Sequence, residues 1–170
     1  HSHQTDRAAV DAIIEEAGDL VTRNALGLML TPDARRWLDK ALADERAAVD
    51  ASPFNEMYER FLVFNKDFKI LVTEWQTGSQ DAASLAATID ALHTLNATFA
   101  PMVHESVGLA PRLRPYAARF AQALHAFTHG DVSMLASPLK DSYHTVWFEY
   151  HEELIHLGGR NRAEEEAAGR

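Results

Sequence analysis

DSYHTVWFEYHEELIHLG, residues 141–158, is the stretch that decides how this chain folds. Tyr143, Trp147, Tyr150, Leu154 and Leu157 recur at alternating steps of four and three, which is one face of an α-helix. One position over, His144, Phe148, His151 and Ile155 form a second stripe. Two adjacent apolar stripes are broader than a surface helix needs. The segment is therefore expected to be largely surrounded by other helices. Its wet edge would carry Ser142, Thr145, Glu149, Glu152, Glu153 and His156. Histidines and tyrosines bring polar tips into that interior, so a small-molecule site is expected against this helix.

The rest of the chain supplies the cover. Phe54, Met57, Phe61, Phe64, Phe68, Leu71 and Trp75 keep helical spacing, and Asn65 and Lys69 interrupt a second stripe of Tyr58, Leu62 and Val72. A helix from about Asp81 turns Leu85, Ile89, Leu92, Leu95, Phe99 and Val103 inward, and Pro101 should kink or end it. After a loop at Gly108–Pro111, a helix to His129 faces Leu113, Tyr116, Phe120, Leu124 and Phe127 inward. Gly130 stops it, and Asp131–Ala136 reads as one further turn. The Arg160–Arg170 tail is charged, alanine-rich and expected to be helical but loosely held.

Before Ala51-Ser52-Pro53 the pattern differs. A short helix over residues 7–17 has Val10, Ile13, Ile14 and Ala17 inward and ends at Gly18. Two short runs, Leu20–Arg23 and Leu28–Thr31, flank a turn-like Asn24–Gly27 and form a hairpin candidate. Thr31 and Pro32 then open a helix that carries Trp37, Leu38, Ala41, Leu42 and Ala48. The expected architecture is all-α: a partial winged helix with one short β-hairpin over residues 1–50, then an antiparallel bundle of about four long helices over 51–170.

Composition sets the bounds. At 170 residues and 46% apolar content the chain can bury one good core. Its apolar runs fall far short of the ~20 residues a membrane span needs. With no cysteine there is neither a disulfide framework nor a thiolate metal site, which fits a cytoplasmic protein. The net charge of -9 disfavours nucleic acid and anionic membranes unless a local basic patch intervenes.

Glu15–Arg23 resembles the end of a recognition helix leading into a wing. Gly27-Leu28-Met29-Leu30-Thr31-Pro32-Asp33-Ala34-Arg35 resembles the leucine-threonine-proline, then alanine-arginine, stretch that ends the wing in MarR-like regulators. The likeness covers about residues 7–46. Phe61–Lys69, Thr73–Gln76 and Asp141–Arg162 are similar to actinobacterial proteins that carry such a winged helix ahead of a helical domain. Some of these accompany phosphoenolpyruvate-utilising, pyruvate phosphate dikinase-like modules. The resemblance implies transcription regulation. The helices that precede a recognition helix have no counterpart here, and residues 1–50 hold ten acids against six bases. DNA contact is thus expected only with those helices restored, through Arg7, Arg23, Arg35 and Arg36.

Several constellations suit chemistry. Asn65, Lys69, Trp75, Arg119, Tyr143, His144, Trp147 and His151 are the expected lining of a ligand pocket, with Lys69 and Arg119 suited to a carboxylate or phosphate. The alternative is that the histidines and tyrosines are satisfied core groups while the cations snorkel outward. His125 and His129, four apart, match metal-chelating spacing if His104 or Asp131 adds a third donor; histidines ending a helix also simply suit its dipole. There is no nucleophile elbow, P-loop or zinc-protease motif, so the chain is expected not to be an enzyme and to need no cofactor. The expected function is a cytoplasmic regulator, as a homodimer, whose bundle binds a small effector or protein partner. The runner-up is a non-catalytic accessory domain of a phosphoenolpyruvate-utilising enzyme. The third reading is a histidine-based metal or haem protein.

Overall fold

The computed structural model describes residues 11–24, 27–79 and 81–167. The fold is all-α with one short hairpin. The chain forms two compact units, residues 1–44 and 45–170, so the division falls inside a helix and not at Ala51-Ser52-Pro53.

In the first unit, residues 11–17 are helical (α1) and a 3-10 turn follows over Gly18–Leu20. Strands β1 (Val21–Asn24) and β2 (Gly27–Leu30) pair antiparallel, with Val21 opposite Leu30 and Arg23 opposite Leu28. The Thr31 hydroxyl accepts the Ala34 N–H at 3.3 Å and so caps α2 (Pro32–Ala48), as the Thr-Pro pair predicts. The expected inward face of α1 is only partly covered: Ile13 is exposed and Ile14 and Ala17 are half-buried, while Val10 lies outside the described residues; Trp37 and Leu38 on α2 and Leu28, Met29 and Leu30 on the hairpin are exposed too. Periodicity alone marks a face but supplies no neighbour to cover it.

The second unit is the bundle: α3 (Ala51–Thr77), α4 (Ala82–Leu109), α5 (Arg114–Thr128), α6 (Tyr143–Leu157) and the short α7 (Arg162–Ala167). The Asp50 side chain accepts from Ser52 N–H, so Ala51-Ser52-Pro53 opens α3. Pro53 falls in the first turn, where an N–H has no intrahelical partner to lose. Asp81 caps α4 and Ser142 caps α6 in the same manner. Pro101 does not end α4, which runs on to Leu109 and so takes in the first two residues of the expected loop, leaving Ala110 as the break before a 3-10 turn at Pro111–Leu113. Burial of Met102 and Val103 just beyond Pro101 opposes the cost of about 3 kcal/mol that an interior proline imposes. Gly130, at φ +104°, ends α5 in the left-handed conformation that glycine tolerates.

The core is aromatic. Phe99 packs edge-on to Phe120, Tyr150 and Phe64, and its ring centroid lies 4.4 Å from that of Trp147. Phe68 stacks on the other side of Trp147 at 4.3 Å. The first stripe of α6 is wholly buried. The second is split: His151 and Ile155 are buried, while His144 and Phe148 lie open, contrary to the expected continuous stripe. Among the described residues, no helix is long and apolar enough to cross a membrane.

Candidate functional site

The opening of that second stripe makes a cleft between α3 and α6. Its volume is about 340 Å³. From α3 it takes Asn65, Lys69 and Phe68; from α6, His144, Trp147 and His151. Arg162, at the start of α7, closes one end. A second groove of about 430 Å³ also includes Asn65 and Lys69 but is lined by α3 alone, so it offers one wall and no enclosure. The two-sided cleft is the better site.

Buried hydrogen bonds fix its back. The Trp147 indole N–H donates to Asn65 Oδ1 at 3.0 Å. Asn65 is only 5% exposed, so the apparent fault in its stripe is a partner placed for the indole. His151 is 3% exposed and sits beside Phe61, ring centroids 4.7 Å apart. Its Nε2 faces the Tyr58 hydroxyl at 3.3 Å and its Nδ1 faces Arg162 Nη1 at 3.3 Å. Burial, reinforced by the positive charges of Arg162 and Lys69, pushes the His151 pKa down to about 3. His144, on the open rim, is also held below the ordinary histidine value by desolvation. Both imidazoles are therefore neutral near pH 7.

Over residues 160–165 the C-terminal tail is anchored, not loosely held, while residues 168–170 lie outside the described residues. Glu165 is 6% exposed, accepts from the Tyr58 hydroxyl at 3.0 Å and pairs with Arg160 at 3.3 Å. The Arg160 guanidinium lies 4.2 Å from the Tyr58 ring centroid. Arg162 pairs with Glu152 and covers the Phe148 ring at 5.0 Å. Its Nη2 makes no well-aligned hydrogen bond, so the Glu152 contact is electrostatic at that nitrogen. The turn into this tail is tight: a Cβ on Gly158 would stand 2.7 Å from Phe54 Cε1.

Of the eight expected pocket residues, Asn65, Lys69, His144, Trp147 and His151 come together. Three do not. Arg119 turns to the opposite side of α6, pairing with Asp141 and with Glu149 at 2.7 Å and lying 5.2 Å over Tyr116. Trp75 is packed edge-on to Phe127. Tyr143 is buried and its hydroxyl donates to Asn96 at 2.9 Å. Phe68, Val72, Thr73, Gln76, Phe148 and Arg162 line the cleft outside the expected set; the first five lie on the same helix faces as the expected residues, whereas nothing local in the sequence marks Arg162.

His125 and His129 lie side by side, their rings tilted with centroids 3.9 Å apart, beside His93 in an open groove. His129 Nδ1 is engaged by the His125 carbonyl at 2.8 Å. Asp131 pairs with Lys140 instead of joining them, and His104 lines a different depression, with Phe99 and Phe120. Among the described residues no three such donors converge to hold a metal ion. Of the expected DNA contacts, Arg23 lies on β1 and Arg35 and Arg36 begin α2, all exposed, with Arg36 paired to Asp33. Arg7 lies outside the described residues.

Compared with known protein families, curated proteins and solved structures, the chain matches none of them.

Proposed function

We propose that this chain is a regulatory protein of the winged-helix type whose helical bundle binds a small effector in the α3–α6 cleft. The observation that carries the reading is the cleft's electrostatic make-up. Among the described residues, two cations and two neutral histidines line it with aromatic rings, and no carboxylate does. A helical bundle held only by packing has no use for such a recess, whereas a pocket of apolar walls with a few convergent polar groups suits a ligand. The DNA output rests on the likeness of residues 7–46 to a wing and its flanking helices. The test is to measure thermal stability with a panel of small anions, and salt-dependent retention on duplex DNA with and without them. A saturable stabilisation that changes DNA retention supports regulation. No stabilisation, together with no salt-sensitive retention, sinks it.

One observation favours the second reading, a non-catalytic accessory domain of a phosphotransfer enzyme. Residues 1–44 leave Trp37, Leu28, Met29 and Leu30 exposed on an acidic module, and such surface suits protein better than DNA. Co-purification with an enzyme, with no DNA retention at low salt, would select it.

A further inference from the structure

Resting on the reading of the α3–α6 cleft as a ligand site, we propose that its ligand is an apolar monocarboxylate, with the carboxylate held at Lys69. Charge sets the valence. Arg162 is already answered by Glu152, and both lining histidines are neutral. Lys69 has no ion-pair partner among the described residues. Among the described residues the cleft thus carries one uncompensated positive charge. A monoanion matches it. A phosphate dianion leaves a negative charge facing the aromatic walls, at a desolvation cost that nothing there offsets. A neutral ligand leaves the ammonium unused.

The hydrogen-bonding groups agree. The Trp147 indole is a donor only, so its bond to Asn65 fixes which end of that amide is oxygen. The Asn65 NH₂ is left with two donors beside Lys69, suited to the second carboxylate oxygen. Phe68, Trp147 and Phe148 supply rings for the rest of the molecule. A volume of about 340 Å³ is at the small end of ligand sites and does not hold a dinucleotide.

The experiment follows the Trp147 indole N–H resonance in the intact ¹⁵N-labelled chain, assigned by Trp37→Phe and Trp75→Phe. Three probes are titrated: 3-phenylpropionate, 3-phenylpropionamide and inorganic phosphate. The expected result is a saturable shift with the carboxylate, at least about tenfold weaker binding of the amide, and no shift with phosphate. Lys69→Met should weaken the carboxylate by about tenfold, while Lys66→Met, on the neighbouring α3 groove, should not. Equal binding of acid and amide, an unaffected Lys69→Met, or a phosphate shift overturns the ligand class and leaves the cleft standing. If neither organic probe moves the Trp147 resonance, the ligand-site reading falls with it.

Discussion

Trp147 Nε1 and Asn65 Oδ1, 3.0 Å apart, join α6 to α3 by a hydrogen bond with both residues almost wholly buried. The rings of Phe61, Phe68 and Phe99 pack around that indole, so losing the acceptor leaves its N–H without a protein partner. Asn65→Leu should therefore cost about 1–3 kcal/mol, the penalty of an orphaned buried donor. Urea denaturation reads it. Trp147→Phe, Asn65→Leu together should recover part of the Asn65→Leu cost, because no donor is then left unpaired. A double variant less stable than the sum of the single ones would contradict this.

Phe99 sits where α3, α4, α5 and α6 meet, touching Phe61, Phe120, Trp147 and Tyr150. Phe99→Ala leaves a void among rigid rings that cannot collapse. The expected loss is about 3–5 kcal/mol, measured by chemical denaturation. Phe148→Ala, at 53% exposure on α6, should cost far less.

The alternating steps of α3 and α6 specify a helical face, and that face is the core. Asn65 and Lys69 broke one such face, and the breaks marked the cleft. Arg119 broke another in the same way, yet it turned to Asp141 and Glu149. Spacing fixes the direction of a side chain around its own helix and says nothing about which neighbour stands there. Arg162 was invisible for a related reason. It reaches the cleft because the chain reverses at Gly158 and Gly159, the latter at φ +62°, a tertiary event with no periodic signature. Trp37 shows the converse, a helical stripe left exposed.

Arg119 is therefore a useful negative control. Its guanidinium is held in its charged form by Asp141 and Glu149, against some desolvation. Arg119→Met should lower stability by about 1 kcal/mol or less, since its acidic partners are about half exposed and screened by solvent. It should leave any ligand affinity of the α3–α6 cleft unchanged, as read by the Trp147 indole resonance. A loss of affinity equal to that of Lys69→Met would place Arg119 in the site after all.

The tail makes a sharper claim. Glu165 serves both the Tyr58 hydroxyl and Arg160 from a buried position. Glu165→Ala strands both partners and should cost about 2–3 kcal/mol, in line with the loss of a hydrogen bond to a charged group. Glu165→Gln keeps an acceptor for Tyr58 and should cost less. Truncation after Gly159 should raise amide hydrogen exchange at the C-terminal end of α6, where Arg162 meets Glu152 and His151. Unchanged exchange there would mean that the tail is not a structural part of the bundle.

His151 couples this construction to pH. Its folded pKa, about 3, lies below the ordinary histidine value because burial and the neighbouring Arg162 and Lys69 charges oppose protonation. The unfolded chain therefore binds a proton as pH falls through about 6.5, before the folded protein does. Stability tied to neutral His151 is complete above that pH and declines steadily between about pH 6.5 and pH 3. His151→Phe, which carries no proton, should be less stable at pH 7 through loss of the Tyr58 and Arg162 contacts. Its disadvantage should shrink as pH falls through that window. Unfolding free energies of the two proteins, measured in parallel from pH 7 to pH 4, give the difference directly, with the titration of shared carboxylates largely cancelling. Parallel curves would show that His151 is solvated, and would remove the neutral imidazole from the account of the cleft.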